Sequence, residues 1–208
     1  MAEINITKMI EIGYKHGADG VLNTNWGDWG NPCSLELGMY GMVLGAEKSW
    51  SVDTELNDVF YRAVNTLLHG SETGIQSLKA VSALHNHIAW KQVCRNYFAH
   101  RYENGESMEF ISEDKVKLIQ KGYLEITESL LSEQWENDEY RKEMLIAAEG
   151  ICVMAELSAK LAGYETDRLT DTCQWLNRYR ESWMKKNKVG ELHRIEEMFK
   201  YFHFRALS

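Results

Sequence analysis

Residues 20–50 read GVLNTNWGDWGNPCSLELGMYGMVLGAEKSW, and this stretch decides how the chain is read. Val21 and Leu22 begin an apolar run ending at Trp26. Asp28, Trp29, Gly30 and Pro32 then form a turn through which no helix continues. A helix resumes near Ser34. Strand, loop and helix in that order predict one βα unit, as at the close of a (β/α)₈ barrel. In that fold the loop after a strand's carboxyl end faces the substrate. Trp26, Asp28 and Trp29 are therefore the candidate substrate-binding residues. An indole covers the apolar face of a pyranose, and a carboxylate accepts hydrogen bonds from its hydroxyls.

Working outward, the pattern becomes helical on both sides. Ile4 to His16 places Ile6, Met9, Ile10 and Gly13 on one side, with Gly17 as its stop. From Ser34 to Lys48, Leu35, Met39, Met42 and Ala46 recur at helical spacing, while Gly38, Gly41 and Gly45 leave a shallow face for a close neighbour. Eight of the 15 glycines lie before residue 46, which sets a boundary near Trp50 to Asp53. The expected organisation is thus a terminal βα unit over residues 1–50 and a helical domain over residues 51–208. The fold class is mainly α, a helical bundle preceded by one βα unit.

Beyond the boundary, Leu56, Phe60, Ala63 and Leu67 form a stripe that Gly70 ends, and Leu78, Ser82, His85 and Ala89 share the face of a helix running from Thr73 to about His100. Tyr102 to Met108 is a loop. After the candidate cap Ser112, Val116, Ile119, Tyr123, Ile126 and Leu130 keep a +3, +4 rhythm as far as Trp135. Helices over 139–161, 167–186 and 190–204 complete a bundle with short connections.

Composition limits the function classes. The chain has 208 residues, 44% of them hydrophobic and 26% charged, enough to bury a core. A net charge of −8 argues against a nucleic-acid partner, which needs clustered Lys and Arg. The most apolar late stretch, Met144 to Gly163, is broken by Glu149, Glu156 and Lys160, so no membrane span is expected. Cys33, Cys94, Cys152 and Cys173 are far apart and form no CxxC pair. Free thiols in a cytoplasmic setting are expected, with no zinc site and no dithiol chemistry. The N-terminal MAEINITKMIEIGYKHG has no continuous apolar core of the kind a secretory signal carries.

The residues GADGVLNTNWGDWGNP and GMVLGAEKSW resemble the last strand, loop and helix of the catalytic barrel in glycoside hydrolase family 20, the β-N-acetylhexosaminidases and their relatives. The resemblance covers about the first quarter of the chain and rests on Trp26-Gly27-Asp28. It implies that Trp26 stacks on the sugar in the cleavage subsite and that Asp28, where many members carry Glu, binds distal hydroxyls. The long helical tail resembles the extension after the barrel in some bacterial members. The family's catalytic Asp-Glu pair lies on a mid-barrel strand, and nothing here matches it. No catalytic residue is therefore assigned to this chain. Because a complete barrel needs ~250 residues, the resemblance implies a C-terminal fragment of an N-acetylhexosaminide-cleaving enzyme. Alone it is expected to be inactive, and its partners would be the carbohydrate and the rest of the barrel. No cofactor is implied. The alternative is a non-enzymatic helical interaction module. On either reading residues 1–50 expose an edge and an apolar face suited to a homo-oligomer.

Other constellations read as structural. His85 and His87 at i and i+2 point to different faces and do not share a metal. Cys94 and His100 lack a third group to orient the base. Glu149 and Glu156 lack the Glu-x-x-His companion of bundle di-iron sites. Trp175, Tyr179 and Trp183, at helical spacing, read as core, and so does Trp50.

Overall fold

The computed structural model describes residues 2–25, 33–88, 93–98 and 111–207. Their order is α1 (Ala2–Lys15), α2 (Leu35–Trp50), α3 (Asp58–Val64), a π-helical turn (Asn65–His69), α4 (Gly74–His85), α5 (Glu113–Ser132), α6 (Asp138–Leu161), α7 (Thr172–Lys186) and α8 (Leu192–Leu207). Residues 93–98 are also helical. The chain is mainly helical, as its periodicities indicate.

Helix α6 is the axis of the fold. Its ends are set by the Asn137 side chain, which accepts the Tyr140 amide at 3.2 Å, and by Gly163, which turns the chain away at φ 79°. A helix apolar on most of its faces must be buried, and α6 meets two clusters. Its first half contributes Tyr140, Met144 and Ala148 to a cluster with Tyr40 and Leu44 of α2, Val64, Ile75 and Leu78, and Ile126 and Leu130 of α5. Its second half contributes Cys152, Val153 and Ala155 to a cluster with Val116, Ile119, Trp175, Tyr179, Ile195 and Phe199. Gly150 lets α7 approach α6 closely: a Cβ there would lie 2.6 Å from Cζ2 of Trp175. That leaves room for the indole to donate to the Ile146 carbonyl at 2.8 Å and to tilt against Phe199 at 4.2 Å between ring centroids. Trp175 and Tyr179 are core, as their spacing indicates, and Trp183 is half-buried.

The sequence pattern locates α5 well. Val116, Ile119, Ile126 and Leu130 are buried and Tyr123 is half-buried. Elsewhere the faces differ from expectation. On α3 the stripe from Leu56 to Leu67 is not the buried one: Leu67 is 87% exposed, whereas Val64, Asn65 and His69 point inward. The inward residues Tyr61, Val64, Asn65, Leu68 and His69 keep a +3, +4 rhythm through the π turn, so the buried face lies one position round from the expected stripe and carries polar Asn65 and His69. Gly70 does end the segment, at φ 59°. On α4 the buried line is Ile75, Leu78, Val81 and Leu84, whereas Ser82 and His85 are exposed. The helix stops at His85 and the chain turns through residues 86–88, so the single helix expected from Thr73 to His100 is not continuous. Trp50 is 95% exposed rather than core. The inward line of α2 is Tyr40, Leu44 and Lys48, and Trp50, two residues further on, lies roughly 200° around the helix.

The expected βα unit is not supported, because there is no strand among the described residues. Residues 20–25 run without helical or sheet hydrogen bonding, and a strand needs a partner edge that these helices do not offer. Two asparagines tie the segment to α2 instead. Asn23 donates from Nδ2 to the Gly41 carbonyl at 2.8 Å, and its side chain fills the space beside Gly45. Asn25 occupies the corresponding space at Gly38. The glycine face of α2 does admit a close neighbour, and that neighbour is the chain just before it.

Candidate functional site

Trp26, Asp28 and Trp29 lie outside the described residues, as does the expected loop from Tyr102 to Met108. The described residues at both ends of the 26–32 segment converge on the start of α2. Before it, Asn25 rests against Gly38. After it, Ser34 is the N-cap residue of α2, with φ −66° and ψ 155°. Its hydroxyl does not cap the helix. It donates to Oε2 of Glu143 on α6 at 2.7 Å.

Glu143 and Glu36 form the charged centre of this region. Lys186, at the last turn of α7, places Nζ 2.6 Å from an oxygen of each carboxylate. Tyr140 donates to the main-chain carbonyl of Glu36, which fixes the first turn of α2 on α6. Burial of the Glu143 side chain raises its pKa, and the hydrogen bond from Lys186 only partly offsets that. Burial also pushes Glu36 upward, but the hydrogen bonds from Lys186 and from its own backbone amide, with the Lys186 charge, together outweigh it and the net shift is down. Both carboxylates sit near the positive end of the α2 dipole, which favours negative charge there. One cation shared by two carboxylates leaves a net negative group at the start of α2.

The other candidate groups resolve into structural roles. Glu149 pairs with Arg178. Glu156 is buried and saturated. It accepts the Leu169 amide at 2.8 Å, the Thr170 amide at 3.2 Å, the Thr170 hydroxyl at 2.6 Å and the Gln120 amide at 3.1 Å, so it orders the α6–α7 connection. These contacts are long-range in sequence, and only the seven-residue spacing of the two glutamates hinted that one faces inward. Among the described residues no group of three or more His, Cys, Asp or Glu side chains could hold a metal ion. None of the four cysteines forms a disulfide. No described helix is long and apolar enough to cross a membrane.

Two features have no counterpart in the sequence reading. His69 is fully buried in the π turn, with Nδ1 3.3 Å from Asn65 Oδ1 and its ring 4.6 Å from that of Tyr140. Burial lowers its pKa to about 4, so it is neutral near pH 7. Glu3 gathers the Tyr40 and Tyr61 hydroxyls, each at 2.9 Å, and Lys79 at 3.0 Å, tying α1 to α2, α3 and α4. Both depend on pairs distant in sequence, and no local spacing announces them.

A cleft of about 260 Å³ lies between α6, the 164–168 connection and α8, lined by Lys160, Tyr164, Arg168 and His203. Arg168 is already engaged there, donating to the Thr170 carbonyl at 2.9 Å. No family model matches the chain, and neither a curated protein nor a solved structure does.

Proposed function

We propose that this chain contributes a carbohydrate-binding edge to a glycoside hydrolase of the family 20 kind. Trp26 serves as the stacking platform, Asp28 as an acceptor for distal hydroxyls and Trp29 as an adjacent aromatic. The observation that supports this reading most is the run Trp26-Gly27-Asp28 in the sequence, ahead of which Val21 and Leu22 lie open to solvent, Leu22 at 85%. Exposed apolar side chains on this stretch suit a surface that a larger protein covers.

The chemistry then comes from a barrel that these 208 residues do not supply. In such an enzyme the substrate's acetamido oxygen attacks the anomeric carbon while a glutamic acid protonates the departing oxygen. Substrate-assisted hydrolysis of this type is a known exception to the two-carboxylate scheme. The role of this chain is to orient the ring, holding its apolar face on Trp26 and its hydroxyls on Asp28.

Two measurements test the reading. In-frame sequence ahead of Met1 should encode a barrel with an Asp-Glu pair, and a stop codon there would overturn the proposal. In the enzyme containing that barrel, Trp26→Ala should lower kcat/KM for an aryl N-acetylglucosaminide about 100-fold, or about 2.7 kcal/mol, with little change in Tm. Equal losses of activity and stability would return Trp26 to a packing role.

A further inference from the structure

The cleft between α6, the 164–168 connection and α8 combines two kinds of lining. Val153 and Leu157 of α6 and Ala206 of α8 are buried and give it an apolar floor. Lys160 and Arg168 are exposed at its rim, and the ring of His203 is half-buried in its wall. The chain path brings these groups together. Gly163 turns the chain at φ 79°, and Glu156 then draws the returning connection back onto α6 by accepting the Leu169 and Thr170 amides.

The cations are not neutralised by the acids around them. The ammonium of Lys160 has no ion-pair partner among the described residues. Arg168 donates to two neutral oxygens, the Thr170 carbonyl at 2.9 Å and the Thr172 hydroxyl at 3.4 Å, which fix the guanidinium without cancelling its charge and leave further N–H groups to donate. Glu156 is spent on the connection. Asp171 is spent as the N-cap of α7, accepting the Gln174 amide at 2.9 Å; that bond does most to lower its pKa, and the charges of Arg168 and His203 add to the shift. Glu165, exposed at the rim, pairs with neither cation. An independent observation concerns His203, whose Nδ1 is buried without a hydrogen-bond partner. A buried polar atom left unmatched is costly, and the broad χ2 well of histidine lets the ring turn toward an acceptor brought into the cleft.

We propose that this cleft binds a small carboxylate with an apolar body, its oxygens met by Lys160, Arg168 and His203 and its body seated on Val153, Leu157 and Ala206. Size supports a small ligand. An apolar cavity of about 150 Å³ holds benzene, so a volume of about 260 Å³ suits roughly ten non-hydrogen atoms. Charge selects the class: in a chain of net charge −8, two cations without ion-pair partners form a local exception, and the apolar floor strengthens their pull on an anion. A bare inorganic anion leaves the floor uncovered, and an uncharged molecule leaves the cations unmet. None of residues 1–50 lines the cleft, so this assignment stands apart from the glycosidase reading.

The test titrates the 208-residue chain with 3-phenylpropionate and follows the backbone amide shifts. Amides of residues 157–168 and 203–207 should move and saturate with a Kd on the order of 1 mM. Lys160→Met should weaken binding about tenfold, and Lys160→Arg should preserve it. 3-Phenylpropanamide, uncharged with the same body, and inorganic phosphate, charged with no body, should each bind at least about tenfold more weakly than the probe. Absence of saturable shifts up to about 10 mM, equal binding of the amide, or phosphate binding as tight as the probe overturns the proposal.

Glu165→Gln gives a check of sign. It removes a like charge from the rim and should tighten the probe about twofold. Weaker binding would show that the carboxylate is not repelled there and would overturn the assignment of the cleft to an anion. Lys160 and Glu165 are both exposed, so neither substitution disturbs the core, and unchanged amide shifts in α5 verify this in the same spectra.

Discussion

Residues 2–50 and the α5–α8 bundle hide their apolar side chains in opposite ways. In the bundle, Val116, Ile119, Met144, Cys152, Trp175, Leu192 and Ile195 are all essentially sealed from solvent. Among the described residues of the first 50, only Ile10, Tyr40 and Leu44 are buried hydrophobics, whereas Ile4, Met9, Ile12, Tyr14, Val21, Leu22, Leu35 and Trp50 are exposed. The early helices are held largely by polar ties, through Glu3, Asn23, Ser34 and Lys48. A polar tie contributes about 1 kcal/mol net, and burial of a large apolar side chain roughly 1.5–3 kcal/mol. The bundle should therefore be the stable unit, and the first 50 residues the part that opens first.

The sharpest way to break that contrast is at Trp175. Trp175→Ala should lose about 4 kcal/mol in denaturant unfolding, because it vacates the space that Gly150 and Phe199 enclose. A loss near zero would mean the bundle is not the rigid half.

The seam between the halves is expected to respond to acid. The folded-state pKa of His69, about 4, lies below its unfolded value near 6.5, so the folded state disfavours the proton. Stability is then full above pH 6.5 and falls as pH drops toward 4, by about 2 kcal/mol between pH 7 and pH 5. Urea titrations at the two pH values measure this, and a His69→Gln variant should lack that part of the slope.

Glu133 gives a smaller effect at the same seam. Burial works against its charge, but bonds from the Thr73 and Ser71 hydroxyls and from the amides of residues 72 and 73 outweigh it and lower its pKa. Its contribution is present above its unfolded pKa and fades as pH falls through the lowered folded value. Glu133→Gln should lose about 1.5 kcal/mol at pH 7, read as a shift in the urea midpoint. The least effect belongs to Leu22, where Leu22→Ser should change stability by less than about 0.5 kcal/mol. A larger loss, growing with protein concentration, would reveal a covering partner on residues 1–50.

The same contrast explains what could be read from the chain in advance. In α5, Val116, Ile119, Ile126 and Leu130 face one core at regular spacing, so periodicity alone places them. Around α2 and α3 the outcome depends on events that leave no local trace. Polar Asn65 and His69 turn inward beside Val64 while apolar Leu67 faces out, and Asn23 and Asn25 settle on glycines that a strand reading assigns to another neighbour. Residues 20–25 look like a strand because Val21 and Leu22 are apolar, yet strand formation depends on an edge to pair with. As for the site, Trp26, Asp28 and Trp29 were legible as residue types, but the cluster of Ser34, Glu36, Glu143 and Lys186 spans more than 150 positions and was invisible to any local pattern.

The widened turn at Asn65–His69 has one more consequence. Removing a single residue from it would convert it to an ordinary α-helical turn and swing the preceding helix by roughly 100°. Tyr61, and through it the Glu3 junction with α1, would be carried away from the spine. Insertions and deletions in the loops would only lengthen or shorten connections, whereas at these five positions chain length sets the angle at which the amino-terminal third meets the rest.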